Sequence, residues 1–176
     1  MPEILKQDEA IPATYPDVTP WWDEADNLPE DRPVDQSQVW ARIESYIAHR
    51  WTPRQVVWVI EGEGEWVPPL TPATIDTVEV WESGAWGAAT LPDGPCGYEL
   101  PGDGPYRVTA TVGGGDLPPA VGEAFKRLCE YTRGINYAFR AETAFNDDEG
   151  QRITNWAARG LVASGAADLL RPYRRV

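Results

Sequence analysis

The chain contains few of the residues that build most catalytic and metal sites. Its 176 residues include one histidine, His49, and two cysteines, Cys96 and Cys129. Neither residue beside His49 is a serine or cysteine, so no nucleophile pair is indicated there. One cysteine lies in a Gly/Pro-rich stretch and the other in a helical pattern, which predicts free thiols rather than a disulfide. We therefore predict that the chain is not an enzyme and carries no cofactor.

Three short motifs resemble ligand sites but lack the features those sites require. Glu61, Glu63 and Glu65 alternate around a glycine turn, a pattern more typical of a solvated tip than of a cation site. The acidic run at 146–150 lacks the spacing of a calcium loop. The glycines at 113–115 lack the Lys-Ser/Thr of a phosphate loop and the spacing of a dinucleotide fingerprint. We predict no metal or nucleotide site from them.

Long apolar runs and positive charge are also scarce. No run approaches the length that spans a bilayer, and the N-terminus lacks the basic-then-apolar pattern of a secretion signal. With 15 Lys and Arg against 28 Asp and Glu, the net charge of −13 argues against a sequence-independent DNA clamp. An acidic wall would still let DNA slide past without binding. We expect no membrane contact and no specific binding of DNA.

The positive charge that is present concentrates at the C-terminus. Residues 1–35 hold 10 acidic and 2 basic residues, residues 36–117 hold 11 and 4, and residues 118–176 hold 7 and 9. The chain closes on DLLRPYRRV, in which leucine and tyrosine accompany the arginines and Pro172 stiffens the backbone. This composition favours docking on another protein, and a frayed terminus is the alternative.

Hydrophobic periodicity and turn residues predict an α+β fold. The predicted helices cover about 35–50, 118–140 and 151–163, and the predicted strands cover about 55–60, 65–67, 74–81, 84–86 and 106–112. We expect a small helical bundle of about three main helices with an inserted small antiparallel β-sheet, at about 55–112. Prolines make residues 1–34 a long extended acidic arm; residues 35–164 form the core and residues 165–176 a tail.

Nine tryptophans are many for a chain of this length. Trp66, Trp81 and Trp86 lie in or beside predicted short strands, as do the aromatic residues that stack on sugar rings in small carbohydrate-binding modules. The alternative is that these side chains pack the sheet against the helices, as large aromatic residues commonly do. We favour packing, because the C-terminal third of the chain is predicted to be helical.

The order of the motifs resembles head–tail connector (adaptor) proteins of long-tailed phages and gene-transfer agents. A helix ending in RIESYIAHRWTPRQVVWVIE leads into a strand, followed by the link VPPLTP and the strands IDTVEVWE and YRVTATVGGG. The helix start DLPPAVGEAFKRLCEYTRG and the closing LLRPYRRV complete the series. The likeness covers about residues 36–176. Thr52-Pro53 replaces the family's usual Thr-Gly, and the acidic arm is longer than the family's pattern.

The resemblance implies a structural protein of the virion neck, made in the host cytoplasm. Such adaptors form a ring, commonly of twelve copies, between the portal and the stopper or next tail component, and they extend the DNA channel. Their C-terminal segment inserts into the portal. Carried over to this sequence, the portal-binding residues are Leu169, Leu170, Arg171, Pro172, Tyr173, Arg174 and Arg175.

Two expectations follow for the ends of the chain. Removal of residues 168–176 should abolish portal docking and leave the fold intact. Trp21 and Trp22, placed in the Pro-rich arm, should pack on a neighbouring subunit of the ring, because indole rings are costly to leave in water. The rival function from a different class is a Trp-rich carbohydrate-binding module on a virion or cell surface.

Overall fold

A computed structural model describes residues 1–18, 34–142 and 159–174 of the chain. The fold divides into two compact units. The first, here the sheet unit, combines Met1–Thr14 with Ala48–Gly115. The second, here the helical unit, combines Tyr15–Ile47 with Asp116–Val176.

The sheet unit is built from antiparallel strands. They are β1 (Glu3–Glu9), β2 (Arg54–Glu61), β3 (Gly64–Trp66), β4 (Ala73–Glu82), β5 (Ala85–Ala88), β6 (Tyr98–Leu100) and β7 (Tyr106–Val112). Five of them form one sheet in the order β1-β2-β7-β4-β5, and β3 pairs with β6 in a small second sheet. The strands predicted at about 55–60, 74–81 and 106–112 are therefore confirmed.

The sheet has one buried face because its central strands alternate. In β2 the side chains of Val56, Trp58 and Ile60 are buried, and those between them are more exposed. In β7 Val108 and Ala110 are buried in the same alternating manner. A period of two places every second side chain on one face, and these faces form a single hydrophobic cluster.

The prediction of a helical bundle with a small inserted sheet is wrong. A five-stranded antiparallel sheet dominates the fold instead. The sheet is also not an insertion between helices, because its edge strand β1 comes from the start of the chain and pairs with β2. The sequence EILKQDE of β1 has mostly exposed side chains on both faces, so it lacks the apolar alternation by which a half-buried strand is recognised.

The helical unit contains α1 (Gln36–Ile47), α2 (Pro119–Glu142), α3 (Gly160–Ala163) and α4 (Ala166–Leu170), followed by a 3₁₀ turn at Arg171–Tyr173. No helix in the described residues is long and apolar enough to cross a membrane. Of the helix predicted at 151–163, residues 151–158 lie outside the described residues, as does the acidic run at 146–150.

Local signals explain where α1 begins and how it packs. The Asp35 carboxylate accepts a hydrogen bond from the backbone N–H of Ser37 at 3.0 Å, so Asp35 is the N-cap of this helix. The helix ends at Ile47, earlier than predicted, and Ala48 follows with φ of 57°. Trp40 stacks on Phe125 of α2 with ring centroids 4.7 Å apart, and both side chains are buried. This stacked pair lies in the core of the helical unit.

Candidate interaction surfaces

The C-terminal segment follows a glycine that breaks the preceding helix. Gly165 has φ of 73°, a left-handed conformation that glycine adopts without steric cost, and it separates α3 from α4. The Ser164 hydroxyl accepts a hydrogen bond from the N–H of Ala166 at 3.3 Å, at the start of α4. Helix α4 then packs on α2 of the same unit. The segment is therefore held as a short ordered helix.

The structure divides the predicted portal-binding residues into buried and exposed groups. Leu170 is completely buried and Leu169 is half-buried. Arg171, Pro172, Tyr173 and Arg174 are exposed, while Arg175 lies outside the described residues. The Leu170 side chain thus anchors the segment in its own unit, and residues 171–174 after it are exposed and open to a partner.

Two local contacts orient the exposed arginines. The guanidinium of Arg171 pairs with the Asp168 carboxylate at 2.6 Å, and both side chains are 77% exposed. The guanidinium carbon of Arg174 lies 5.2 Å from the centroid of the Tyr46 ring, within the range of a cation–π contact. Exposed pairs of this kind contribute little to stability, so the arginines remain accessible to a partner.

The predicted subunit-interface candidates Trp21 and Trp22 lie outside the described residues. The start of the predicted arm is described, and it is the strand β1. Its last residue, Glu9, bonds with Arg50 and Arg54, both of which are buried. This ion cluster joins β1 to the segment that follows α1 and to β2, and sequence reasoning missed it because the partners are more than forty residues apart.

A second exposed surface carries an aromatic pair on the sheet unit. Trp81 of β4 and Trp86 of β5 are cross-strand neighbours, with ring centroids 5.2 Å apart and planes at 65°. Trp81 is 43% exposed. The Arg107 guanidinium lies 4.6 Å from the Trp86 ring and pairs with the Glu79 carboxylate at 2.6 Å. The two rings meet edge to face, so they do not form a flat stacking platform.

The other tryptophans of the sheet unit pack internally. Trp66, considered above with the possible sugar-binding residues, is buried and meets Trp58 edge to face with centroids 5.5 Å apart. The indole N–H of Trp58 donates to the Gln7 side-chain oxygen at 2.9 Å. Packing therefore accounts for Trp66, and only Trp81 and Trp86 present indole surface on the sheet.

The residues considered for chemistry are dispersed. In the described ranges no three His, Cys, Asp or Glu side chains come together as a metal site would require. Burial, and secondarily the charge of Arg50, lowers the pKa of His49. Cys96 is exposed and Cys129 is buried, and both are free thiols. Burial raises the pKa of the Cys129 thiol to about 12, so this thiol is inert near neutral pH.

No protein-family model, curated protein or solved structure matches this chain. The assignment of a function therefore depends on the sequence motifs and on the surfaces described above.

Proposed function

We propose that the chain is a head–tail adaptor of a phage or gene-transfer agent, a non-enzymatic protein that joins the portal to the stopper or next tail component. Copies of it form a ring around the DNA channel at the virion neck. The proposal starts from the resemblance of the motif series at 36–176. The observation that carries it furthest is the exposed basic segment at 171–174, which an otherwise acidic chain displays on a buried leucine anchor.

The shape and charge of this segment suit a docking element. Its backbone is fixed by α4 and the 3₁₀ turn, so little conformational entropy is lost when it binds. Arginine and tyrosine are the residue types enriched among those that dominate protein–protein binding energy. Tyr173 is 37% exposed, which leaves part of its ring free for a pocket on the portal.

The negative charge of the sheet unit suits a surface that lines a DNA channel. The sheet unit holds 12 acidic and 4 basic residues, a net charge of −8. A surface of this sign repels phosphate and prevents DNA from sticking. Ring formation requires head-to-tail contacts that close on themselves, for which exposed aromatic residues such as Trp81 are suited.

The test is co-purification of the chain with its cognate portal ring, followed by imaging of the complex. Deletion of 168–176, which the sequence predicts to leave the fold intact, would also remove the buried Leu170 side chain. A deletion of 171–176 is therefore the sharper variant, because it starts after that anchor. We expect a ring of this protein on the portal, lost with the 171–176 deletion while the circular dichroism spectrum is unchanged.

Matched point variants make the test specific. Arg171→Glu and Arg174→Glu reverse the charge of the exposed segment, while Arg127→Glu reverses a charge on α2, where Arg127 pairs with Glu123 at 2.7 Å. We expect the first two to abolish portal binding and the third to leave it intact. Equal binding by all three variants would contradict the docking assignment, and no binding by the unaltered chain would contradict the adaptor function.

A carbohydrate-binding module is the second candidate, and the observation that favours it is the exposed Trp81 ring, which meets the Trp86 ring that Arg107 contacts. One exposed indole face can stack on a sugar ring without a platform of two rings, while the Arg107 guanidinium donates hydrogen bonds to sugar hydroxyls and the Glu79 carboxylate accepts them. A glycan array comparing the unaltered chain with Trp81→Ala separates the two candidates. Saturable glycan binding that Trp81→Ala removes would support the module in place of the adaptor.

A further inference from the structure

The far edge of the five-stranded sheet is only partly paired. Strand β5 pairs with residues Glu79–Glu82 of β4, the C-terminal part of that strand. Residues 73–78 of β4 pair with β7 on one side, and no other strand in the described residues pairs with them on the opposite side. Among the described residues, one backbone hydrogen bond reaches that open side, from the Ala89 N–H to the Val78 carbonyl at 2.9 Å. The rest of this stretch is an open sheet edge.

A groove runs along this open edge. Residues 73–78 line it on one side, residues 88–91 and Tyr98 line it on the other, and its volume is about 690 Å³. We name it the β4 groove. Ile75, Val78 and Tyr98 pack against the hydrophobic core of the sheet unit, so apolar side chains at the floor of the groove continue that core. An open strand edge beside apolar floor residues is the arrangement that binds an extended peptide as an added strand.

The charge around the groove specifies the peptide. Asp76 lines the groove, and Glu79 follows it on β4. All four Lys and Arg residues of the sheet unit already contact carboxylates. Lys6 pairs with Asp8, Arg50 and Arg54 pair with Glu9, and Arg107 pairs with Glu79. Arg107 thus neutralises Glu79, whereas Asp76 accepts a hydrogen bond from the Thr111 hydroxyl and pairs with no basic residue in the described ranges. The uncompensated carboxylate of Asp76, in a unit of net charge −8, attracts a basic segment.

A second copy of this chain is a poorer occupant. The free edge at the opposite side of the sheet is β1, whose sequence EILKQDE holds three acids and one lysine. Bringing that strand to the β4 groove would place like charges together, which costs binding energy. The C-terminal segment at 171–174 is basic, but it forms a 3₁₀ turn and contains Pro172, which cannot donate a strand hydrogen bond.

We propose that the β4 groove binds an extended basic segment of a partner protein, which adds as a strand beside residues 73–78. Backbone hydrogen bonds to the open edge supply part of the affinity. Alternate apolar side chains of the segment rest on Ile75, Val78 and Tyr98, and flanking lysine or arginine faces Asp76. The groove is separate from the C-terminal segment, so the proposal goes beyond portal docking and is tested independently of it.

The probe is a short synthetic peptide, acetyl-Lys-Val-Thr-Val-Thr-Val-Lys-amide, titrated into the full chain while amide hydrogen exchange is followed. We expect slower exchange in 73–78 and in 88–91, with no change in β1. Two control peptides isolate the mechanism: one N-methylated at alternate amides, which cannot pair as a strand, and one with glutamate in place of both lysines. Both controls should bind about tenfold more weakly or worse, a loss of about 1.4 kcal/mol.

Matched variants locate the site. Ala88→Trp fills the groove, and Ala85→Trp adds the same side chain on β5 outside it. Asp76→Asn removes the charge within the groove but keeps an oxygen that can accept the 3.0 Å hydrogen bond from the Thr111 hydroxyl. Its control is Asp103→Asn, which removes a charge elsewhere in the sheet unit. We expect Ala88→Trp and Asp76→Asn to weaken the lysine peptide on the order of tenfold, and the two controls to leave its affinity unchanged.

Three outcomes would overturn the proposal. If the peptide slowed amide exchange in β1 and not in 73–78, it would bind the opposite edge of the sheet and the proposed site would be wrong. If, without peptide, the protection of the 73–78 amides against exchange increased with protein concentration, the occupant would be a second copy of the chain. Equal affinity of the N-methylated peptide would rule out strand addition. Portal binding is measured separately, with the 171–176 deletion. If the peptide does not bind the β4 groove, the adaptor proposal still stands. If the chain does not bind the portal, the proposal for the β4 groove still stands.

Discussion

Glu9 and Arg50 form a bidentate ion pair between the first strand of the sheet and the segment that follows helix α1. Arg50 Nε donates to one carboxylate oxygen at 2.6 Å and Arg50 Nη2 donates to the other at 3.0 Å. Arg54 Nη1 donates to the first oxygen at 3.1 Å. The Arg50 and Arg54 side chains are 8% and 5% exposed, so the pair is largely shielded from water. Shielding makes the loss of one partner costly.

Replacing Glu9 by glutamine should therefore destabilise the fold. The neutral amide removes the Glu9 charge from beside two buried guanidinium groups, and we expect a loss of about 2 kcal/mol in the free energy of unfolding. Urea unfolding followed by tryptophan fluorescence measures it. Glu3→Gln, on the same strand but exposed, is the matched control and should stay within about 0.5 kcal/mol of the parent. Equal midpoints for the two variants would show that the pair does not hold β1.

The Glu9 carboxylate should also make the free energy of unfolding depend on pH in the acidic range. Burial opposes ionisation of Glu9, but hydrogen bonding and charge from Arg50, with a further contribution from Arg54, outweigh it and lower its pKa from the usual 4.5. A lowered folded-state pKa contributes stability that is complete above the unfolded pKa of 4.5 and is lost as pH falls through the folded pKa. The difference in unfolding free energy between the parent and Glu9→Gln should shrink over that acidic window. A difference that stays constant there would contradict the assignment.

Substitutions at Leu170 and Tyr173 should have different effects, one on stability and the other on portal binding. Leu170 is fully buried, so Leu170→Ala should cost about 2–4 kcal/mol of stability through lost burial and the cavity left behind. Tyr173 is exposed, and Tyr173→Ala should leave stability within about 0.5 kcal/mol. Portal binding by Tyr173→Ala should be weakened, because truncating an aromatic anchor commonly costs about 2 kcal/mol of binding energy. A thermal melt and a pull-down on portal rings give the two readouts. A stable Leu170→Ala would contradict the anchor role.

The two cysteines should differ sharply in reactivity. Cys96 is exposed, and Cys129 is buried with its pKa raised to about 12. At about pH 8 a disulfide reagent should label one thiol per chain in the folded protein and two after denaturation, because the thiolate is the reacting form. Cys96→Ser should abolish the fast labelling. Rapid labelling of both thiols in the native state would show that the core around Cys129 is open.

Local sequence patterns predicted the central elements well. Strand β7 alternates so regularly that its bounds, 106–112, agree with the structure, and the apolar run of β2 is confirmed. Asp35 is the N-cap of α1, as its residue type predicts. These features depend on residues close in sequence, for which side-chain periodicity and capping chemistry are sufficient.

The organisation of the fold did not follow from such patterns. Glu3–Glu9 has no apolar alternation, and its pairing with β2 is fixed by partners far along the chain, among them Trp58 for Gln7 and Arg50 for Glu9. The predicted bundle with an inserted sheet was wrong for this reason. The burial of Leu170 also did not follow from local patterns, because it depends on the packing of α4 against α2.

The sequence by itself determined the composition-dependent properties: an acidic chain with a basic C-terminus, its main strands and helices, and the motif series on which the adaptor proposal depends. Only the tertiary structure decided which side chains are buried, which edge of the sheet is left open at 73–78, and which of the terminal residues face outward. Composition and periodicity are local properties of a chain, while strand pairing, burial and free edges arise from contacts between distant residues.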